Sequence, residues 1–290
     1  MSMNSVHTNL GAMVALQSMS RTGSDMAATQ KAISTGFRVA DAKDDGAAFA
    51  IAQRVRSNVG ALTSVNTQLA NTKELINTTL TSLNSVSDTM KDMKKILGTL
   101  SNSTLKDQDR ENNVKQYQQK LQSVRDFVSE ASYNGKTLIA DIDAGATDAD
   151  KEAIGFSDVT LARNENGKMA TVTAVNLKAE LDSIDYSEED LEDATKMAAE
   201  LAPDGKFNTA FNKVGTTTNT FGTQFKYFSD QIDFNKNKID ALNAGVGAMV
   251  DADLSKEAAN LQALQVRQQL GTQALSMANQ GPQSLLSLFR

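Results

Sequence analysis

Apolar residues recur every seven positions along much of the first hundred residues. The series runs without a miss through Val55, Leu62, Leu69, Ile76, Leu83, Met90 and Leu97. A seven-residue repeat sustained over this length is typical of a helix that packs along a long partner rather than on a round core. The first proline is Pro203, so nothing earlier in the chain forbids long helices.

Two further stretches carry apolar residues at steps of three and four. The longer one comprises Phe207, Phe211, Val214, Phe221, Phe225, Phe228, Ile232, Ile239, Leu242, Val246 and Met249, interrupted by Thr218 and Asn235. The shorter one comprises Val114, Tyr117, Leu121, Val124 and Val128, and it follows a Ser-Asn-Ser-Thr break at 101–104. Three such helices predict an elongated antiparallel bundle of mainly α class. A compact helical globule that uses the same periodicity is the alternative.

Both ends of the chain are patterned like helices yet nearly uncharged. No Asp, Glu, Lys or Arg precedes Arg21, and after Ala258 only Arg267 and Arg290 are ionic. A surface helix normally shows water a charged face, and chain termini are normally polar. We therefore expect paired terminal helices that bury their apolar faces in neighbouring copies. The expected contact residues are Val6, Leu10, Met13, Val14, Ile33, Leu254, Leu261, Leu264, Leu270, Leu275, Leu285, Leu288 and Phe289.

The middle of the chain has a different texture. Residues 157–163 and 169–175 alternate apolar and polar positions on either side of an Asn-Gly pair at 166–167, which predicts a β-hairpin. An acidic helical stretch, Glu188 to Leu201, follows. Residues 141–205 hold seventeen of the 35 acids and only five of the 29 bases, so this part is expected to face water.

The helical pattern is interrupted twice, once about forty residues from each end of the sequence. Ser34-Thr-Gly36 and Asp44-Asp-Gly46 form the first, while Gly245-Val-Gly247 and Asp251-Ala-Asp253 form the second. The expected hinge and signature residues are Gly36, Arg38, Asp44, Asp45, Gly46, Gly245, Gly247, Asp251 and Asp253. The breaks predict a terminal coiled-coil layer (1–40 and 250–290), a helical bundle layer (41–140 and 205–249) and a small acidic variable insertion with the hairpin (141–204).

Composition disfavours catalysis and ligand chemistry. There are no cysteines, so thiolate catalysis lacks its nucleophile. His7 is the only histidine, so a Ser-His-Asp triad would have to use a residue near a charge-free terminus. Asp141 to Glu152 resembles a calcium loop, but Ala146 stands where the sharp turn requires glycine. The bases form no patch with aromatics, which disfavours nucleic-acid binding, and no segment is apolar enough to span a membrane. We expect no catalytic residue, cofactor or metal.

Two long motifs, one near each end, resemble those of the bacterial flagellins. Residues 34–47 (STGFRVADAKDDGA), followed by 50–54 (AIAQR), are similar to the N-terminal signature of that family. Residues 250–257 (VDADLSKE) and 269–290 are similar to its C-terminal signature, and residues 133–138 (YNGKTL) to the turn after its third core helix. The resemblance covers about residues 1–140 and 205–290, while 141–204 matches nothing firmly.

The resemblance implies a structural subunit that assembles with itself into the extracellular filament of the bacterial flagellum, which drives swimming. It implies export through the flagellar apparatus without a cleaved signal. It further implies a chaperone that holds the C-terminal helix, together with junction and cap proteins as partners. A hook–filament junction protein is the alternative within the same class, and a secreted coiled-coil adhesin is the alternative from another class.

One family property is expected to be weak or absent. The family's innate-immune receptor site reads Leu-Gln-Arg-Val-Arg-Glu-Leu, and the aligned stretch in this chain is Met90 to Ile96 (MKDMKKI). Asp92 therefore stands where that site has its first arginine. Replacing a cation with an anion at a contact lowers affinity, so weak recognition or none is expected.

Overall fold

The computed structural model describes residues 9–143 and 145–287, most of which lie in long helices, as the mainly α prediction requires. The helices are α1 (Leu10–Thr35), α2 (Gly46–Leu100), α3 (Asp107–Ser129), α4 (Asp148–Ala153), α5 (Lys178–Ser183), α6 (Glu188–Glu192), α7 (Ala194–Glu200), α8 (Lys206–Val250) and α9 (Leu254–Ser287). The short strands are β1 (Ser132–Tyr133), β2 (Lys136–Thr137), β3 (Ile139–Ala140), β4 (Val159–Ala162), β5 (Met169–Val172) and β6 (Val175–Asn176). The chain divides into two compact units: residues 60–239, and the remainder from both ends.

The unit of residues 60–239 is built on the predicted heptad helices. Side chains of the first series from Leu62 to Leu97 are fully buried, and Phe207, Val214, Phe221 and Phe228 are buried on α8. The five apolar residues of the third series, on α3, are buried as well. Lys94 Nζ donates to Asn208 Oδ1 (2.7 Å), and Asn235 Nδ2 donates to Asn66 Oδ1 (2.9 Å), so α2 and α8 run antiparallel.

The insertion contributes to this core, which corrects the expectation that it is mainly a water-facing excursion. Leu177, Leu181, Ile184, Leu191 and Met197 are all buried in the same apolar cluster as the bundle helices. Strand β6 pairs in parallel with β3, which directly follows the β1–β2 hairpin. The net negative charge of this stretch conceals a regular apolar face, because one buried residue in three or four is enough to anchor short helices.

Charged contacts fix the insertion to α3. The guanidinium of Arg125 bonds the carboxylates of Asp141, Asp182 (3.0 Å) and Asp185 (3.2 Å), and Lys178 Nζ lies 3.1 Å from Asp182. The arginine side chain is largely buried, so these pairs are less screened than pairs on an open surface.

The acidic stretch predicted as one helix is two. Helix α6 ends at Glu192, and the backbone of Asp193 is extended. The Asp193 carboxylate accepts hydrogen bonds from the amides of Thr195 (2.9 Å) and Lys196 (3.2 Å). An aspartate at this position satisfies amides at a helix start, so it begins a second helix rather than continuing the first. The break lets both Leu191 and Met197 reach the core.

The predicted hairpin is formed by β4 and β5, with Gly167 at a φ of 72° in its turn. Its turn contacts α8 through polar groups. The buried amide of Asn235, which interrupts the apolar series of α8, donates to Asn66 and also to the carbonyl of Arg163 (3.2 Å). The carboxylate of Glu165 is paired with Lys238 and is almost wholly buried.

We expect the Glu165–Lys238 pair to make the bundle sensitive to acid. The hydrogen bond from Lys238 holds the pKa of the Glu165 carboxyl below its usual value of 4.5. The pair therefore contributes stability above that value, and the contribution is lost as pH falls towards the lowered pKa. Glu165→Gln should lose less of its free energy of unfolding than the parent protein when urea denaturation is repeated from pH 6 down to pH 3.

The matched control is Glu111→Gln. Glu111 forms a comparable pair with Lys115, but at an exposed site where water screens the interaction. This variant should follow the parent's acid profile closely. Identical acid profiles for the parent and Glu165→Gln would contradict the assignment.

Candidate assembly surface and its joint

Helices α1 and α9 form an antiparallel pair, called the terminal pair below. At one end of the pair, Asn9 Nδ2 donates to the carbonyl of Ala278 (2.8 Å). At the other end, the backbones of Phe37 and Asp251 form an isolated antiparallel β-bridge. Asn9 also begins α1, because its side chain accepts a hydrogen bond from Ala12 N (3.0 Å). Gly36 ends α1 in the left-handed conformation at a φ of 75°, which glycine adopts without steric cost.

The two helices meet along a heptad seam made mostly of small or flexible residues. The half-buried or buried positions at heptad spacing are Ala12, Ala15, Met19, Thr22, Met26, Thr29 and Ile33 on α1, and Glu257, Leu261, Leu264, Gln268, Gly271, Leu275 and Ala278 on α9. Only Thr29 on α1 and Leu264 within residues 254–280 of α9 are buried, and the other seam positions are half-buried. Four residues predicted for contacts between copies, Ile33, Leu261, Leu264 and Leu275, therefore lie on the seam within one chain.

The outward faces of the same helices carry large apolar side chains that nothing in the described part of the chain covers. We call this set the terminal apolar stripe: Leu10, Met13, Val14, Leu16, Leu254, Val266, Leu270 and Met277. Each of these side chains is between 51% and 66% exposed. Isolated exposed apolar residues are ordinary, but a row of them along two neighbouring helices marks an interaction surface.

Sequence patterning identified five of the eight stripe residues. It missed Leu16, Val266 and Met277, which lie three to seven positions from identified ones and could have been found by extending the same spacing. Val6, Leu288 and Phe289 lie outside the described residues, and Leu285 lies in α9 without a described side chain. Their role in assembly stays a prediction.

The base of the terminal pair is a joint, which we define as residues 36–45 together with 249–253. The carbonyl of Val250 accepts from the amides of Arg38 (2.8 Å) and Val39 (3.2 Å), and Ala252 N donates to the carbonyl of Gly36 (2.9 Å). The guanidinium of Arg38 also donates to the carbonyl of Met249. Segments from opposite ends of the sequence are therefore bonded backbone to backbone.

Carboxylates shape the N-terminal half of the joint. Lys31 Nζ lies 2.8 Å from both Asp41 and Asp44, and Asp44 accepts the amides of Ala40 (3.0 Å) and Asp41 (3.1 Å). The hydrogen bonds from Lys31 lower the pKa of both carboxyls and raise that of the ammonium. The carboxylate of Asp45 accepts the amides of Ala47 and Ala48 (3.0 Å each) and so begins α2.

Most predicted hinge residues meet in the joint, with one correction. Gly36, Arg38, Asp44 and Asp45 lie in its N-terminal part, Gly46 begins α2 directly after it, and Asp251 and Asp253 lie in its C-terminal part. Gly245 and Gly247 are inside α8, so of the second predicted break only the part at 251–253 interrupts the helix. Val246 and Val250 pack with Val39 and Ala52, and this burial holds the helix through both glycines.

Metal-ligand groups and membrane-spanning helices were sought among the described residues. No group of three or more His, Cys, Asp or Glu side chains among them is arranged to hold a metal ion. None of their helices is long and apolar enough to cross a bilayer.

Comparison with known proteins agrees with this arrangement. Residues 6–144 match the bacterial flagellin N-terminal helical region, and residues 205–289 match the bacterial flagellin C-terminal helical region. The chain is 33% identical over 293 residues to flagellin FljK of Caulobacter vibrioides, covering 100% of both sequences. It is 32% identical over 296 residues to a flagellin of Brucella melitensis, covering 99% of this chain and 100% of that protein.

A solved structure shares the fold. A putative flagellar hook-associated protein from Vibrio parahaemolyticus superposes with a TM-score of 0.59 at 17% sequence identity, covering 72% of this chain and 100% of the other. At this identity the similarity concerns the fold alone.

Proposed function

Because the chain belongs to the bacterial flagellin family, we propose that its terminal apolar stripe is the surface through which it joins the flagellar filament. The protein is a structural subunit of this extracellular filament, and its family assembles with itself. The observation that carries the proposal is the exposure of eight large apolar residues on the two helices nearest the ends of the sequence. A second copy of the chain is the occupant that the family's self-assembly provides.

The terminal pair buries little surface between its two helices, which supports the proposal that these helices become stably ordered only when copies assemble. Helix α1 has 26 residues but one buried side chain, whereas the long helices of the bundle bury an apolar residue on almost every turn. Fixing each backbone residue costs roughly 1–2 kcal/mol, and burial of apolar surface is the main opposing term. The free subunit therefore gains little from pairing α1 with α9, and a filament that covers the stripe gains much more.

Hydrogen exchange measured on monomers and on seeded filaments tests this proposal. Amides of α1 and α9 should exchange quickly in the monomer and at least about tenfold more slowly in the filament, because local stability follows burial. Amides in the buried parts of α2 and α8 should be protected in both states and serve as the internal control. Full protection of the terminal helices in the monomer would contradict the proposal.

We also propose the family's partners for this chain. Export without a cleaved signal requires that the stripe be kept from premature association, and a chaperone that covers α9 would do this. Junction and cap proteins would meet the same surface at the two ends of the filament. The exposed residues Leu254, Val266, Leu270 and Met277 support this proposal, since they offer such partners an apolar helix face.

Recognition by the innate-immune receptor is proposed to be weak or absent. Met90 and Met93 of the aligned stretch are buried in the bundle. The carboxylate of Asp92 is paired with Lys95 (2.9 Å) and lies 3.6 Å from Lys120. This stretch presents an anion between lysines at the position of the family's first arginine.

The family relationship favours a filament subunit over a junction protein or an adhesin.

A further inference from the structure

Three charged residues stand out on the terminal pair. Helix α1 is free of charge from Leu10 to Ser20 and then carries Arg21 and Asp25, while the only charge of α9 between Ala258 and Ser287 is Arg267. All three side chains are exposed. Arg21 and Asp25 continue the stripe of α1, since they line one shallow surface depression together with Met13 and Leu16.

None of the three has a partner within the described part of the chain. No hydrogen bond or ion pair reaches them there, whereas Lys31, on the same helix, is bonded to both Asp41 and Asp44. Arg21 and Asp25 are four residues apart, but with the arginine first, which is the less favourable order for an ion pair along a helix. Within residues 9–143 and 145–287, these three charges are therefore uncompensated.

The charges are also unbalanced along the pair. The contacts of Asn9 with Ala278 and of Phe37 with Asp251 set the antiparallel register, which brings Arg267 level with Arg21. Two cations are thus at one level of the terminal pair, and one anion lies a single turn away. Displacing one copy along the helices relative to another would bring the anion of one copy level with the cations of the other.

We infer that in the filament Asp25 of one copy forms an ion pair with an arginine of a second copy, Arg21 or Arg267. The inference rests on the proposed function, because covering the stripe removes water from these charges. A charge that loses water without gaining a partner is strongly destabilising, so assembly requires that the carboxylate and a guanidinium meet. The apolar stripe supplies adhesion, and the ion pair selects the register in which copies associate.

Mixing charge-reversed full-length chains tests whether the pair joins different copies. Asp25→Arg and Arg21→Asp should each raise the critical concentration for seeded elongation about tenfold or more, since each sets like charges together at the contact. An equimolar mixture of the two should elongate at a concentration well below that of either alone. A mixture of Asp25→Arg with Arg267→Asp is the parallel arm, and rescue in either arm supports the inference.

Two controls separate this effect from general charge and from folding. Glu192→Arg changes the net charge by the same amount at an exposed site in the insertion, and it should elongate like the parent. The thermal unfolding midpoint of the Asp25→Arg monomer should equal that of the parent, because the carboxylate has no partner among the described residues.

The inference is overturned if Asp25→Arg elongates normally, or if neither mixture is rescued. A parent chain that does not elongate at all would contradict the proposed function, and the inference with it.

Discussion

Removal of residues 255–290 is expected to abolish seeded filament elongation. The deletion takes away α9 and with it Val266, Leu270 and Met277, and it exposes the seam of α1 that α9 covers. The remaining stripe on α1 has no partner helix to hold it in place. Negative-stain electron microscopy of parent seeds incubated with the truncated protein should show no growth beyond the seed length.

The truncated protein should remain soluble and folded, which separates loss of assembly from loss of structure. The core of residues 60–239 contains no residue of the deleted segment. Its cooperative unfolding should therefore persist in circular dichroism. Filaments of normal length grown from the truncated chain would refute the assembly surface.

Phe221→Ala is expected to cause a large loss of stability. The Phe221 side chain is 0% exposed and lies in the apolar cluster shared by the bundle helices and the insertion. Truncating a buried phenylalanine removes its transfer free energy and leaves a cavity, which together cost about 3–5 kcal/mol. The free energy of unfolding from urea denaturation measures this loss.

Phe234→Ala on the same helix is the matched control. Its side chain is 60% exposed, so the same chemical change creates no cavity and should cost less than about 1 kcal/mol. Equal losses for the two variants would show that the buried side of α8 is wrongly assigned.

The bundle was predictable from the sequence because a seven-residue repeat specifies which side of a long helix is buried. The whole series from Leu62 to Leu97 proved fully buried. The function of Asn235 was not predictable, since its partner Asn66 is 169 positions away and nothing local connects them. From the sequence alone, a polar residue in an apolar series can be recognised only as an interruption, because its partner lies on another helix.

Two predictions were wrong for different reasons: that the insertion mainly faces water, and that the helix breaks at Gly245 and Gly247. In the insertion, a dense set of acids concealed the spacing of Leu177, Leu181 and Ile184, which bury its inner side. At Gly245 and Gly247, glycine signals a break, but each costs a helix only about 1 kcal/mol, and the burial of Val246 and Val250 outweighs that. On the terminal pair, the spacing identified apolar positions without dividing them between the seam and the outer face.

The hydrogen bonds between Arg38 and the end of α8 close a loop of more than two hundred residues. Such a distant closure is entropically unfavourable in an unstructured chain, but once Asn66 has met Asn235 the remaining loop is short. The joint is therefore expected to form after the bundle of residues 60–239 has folded. Helices α1 and α9 extend from the two sides of the joint, so their pairing should also follow the folding of the bundle.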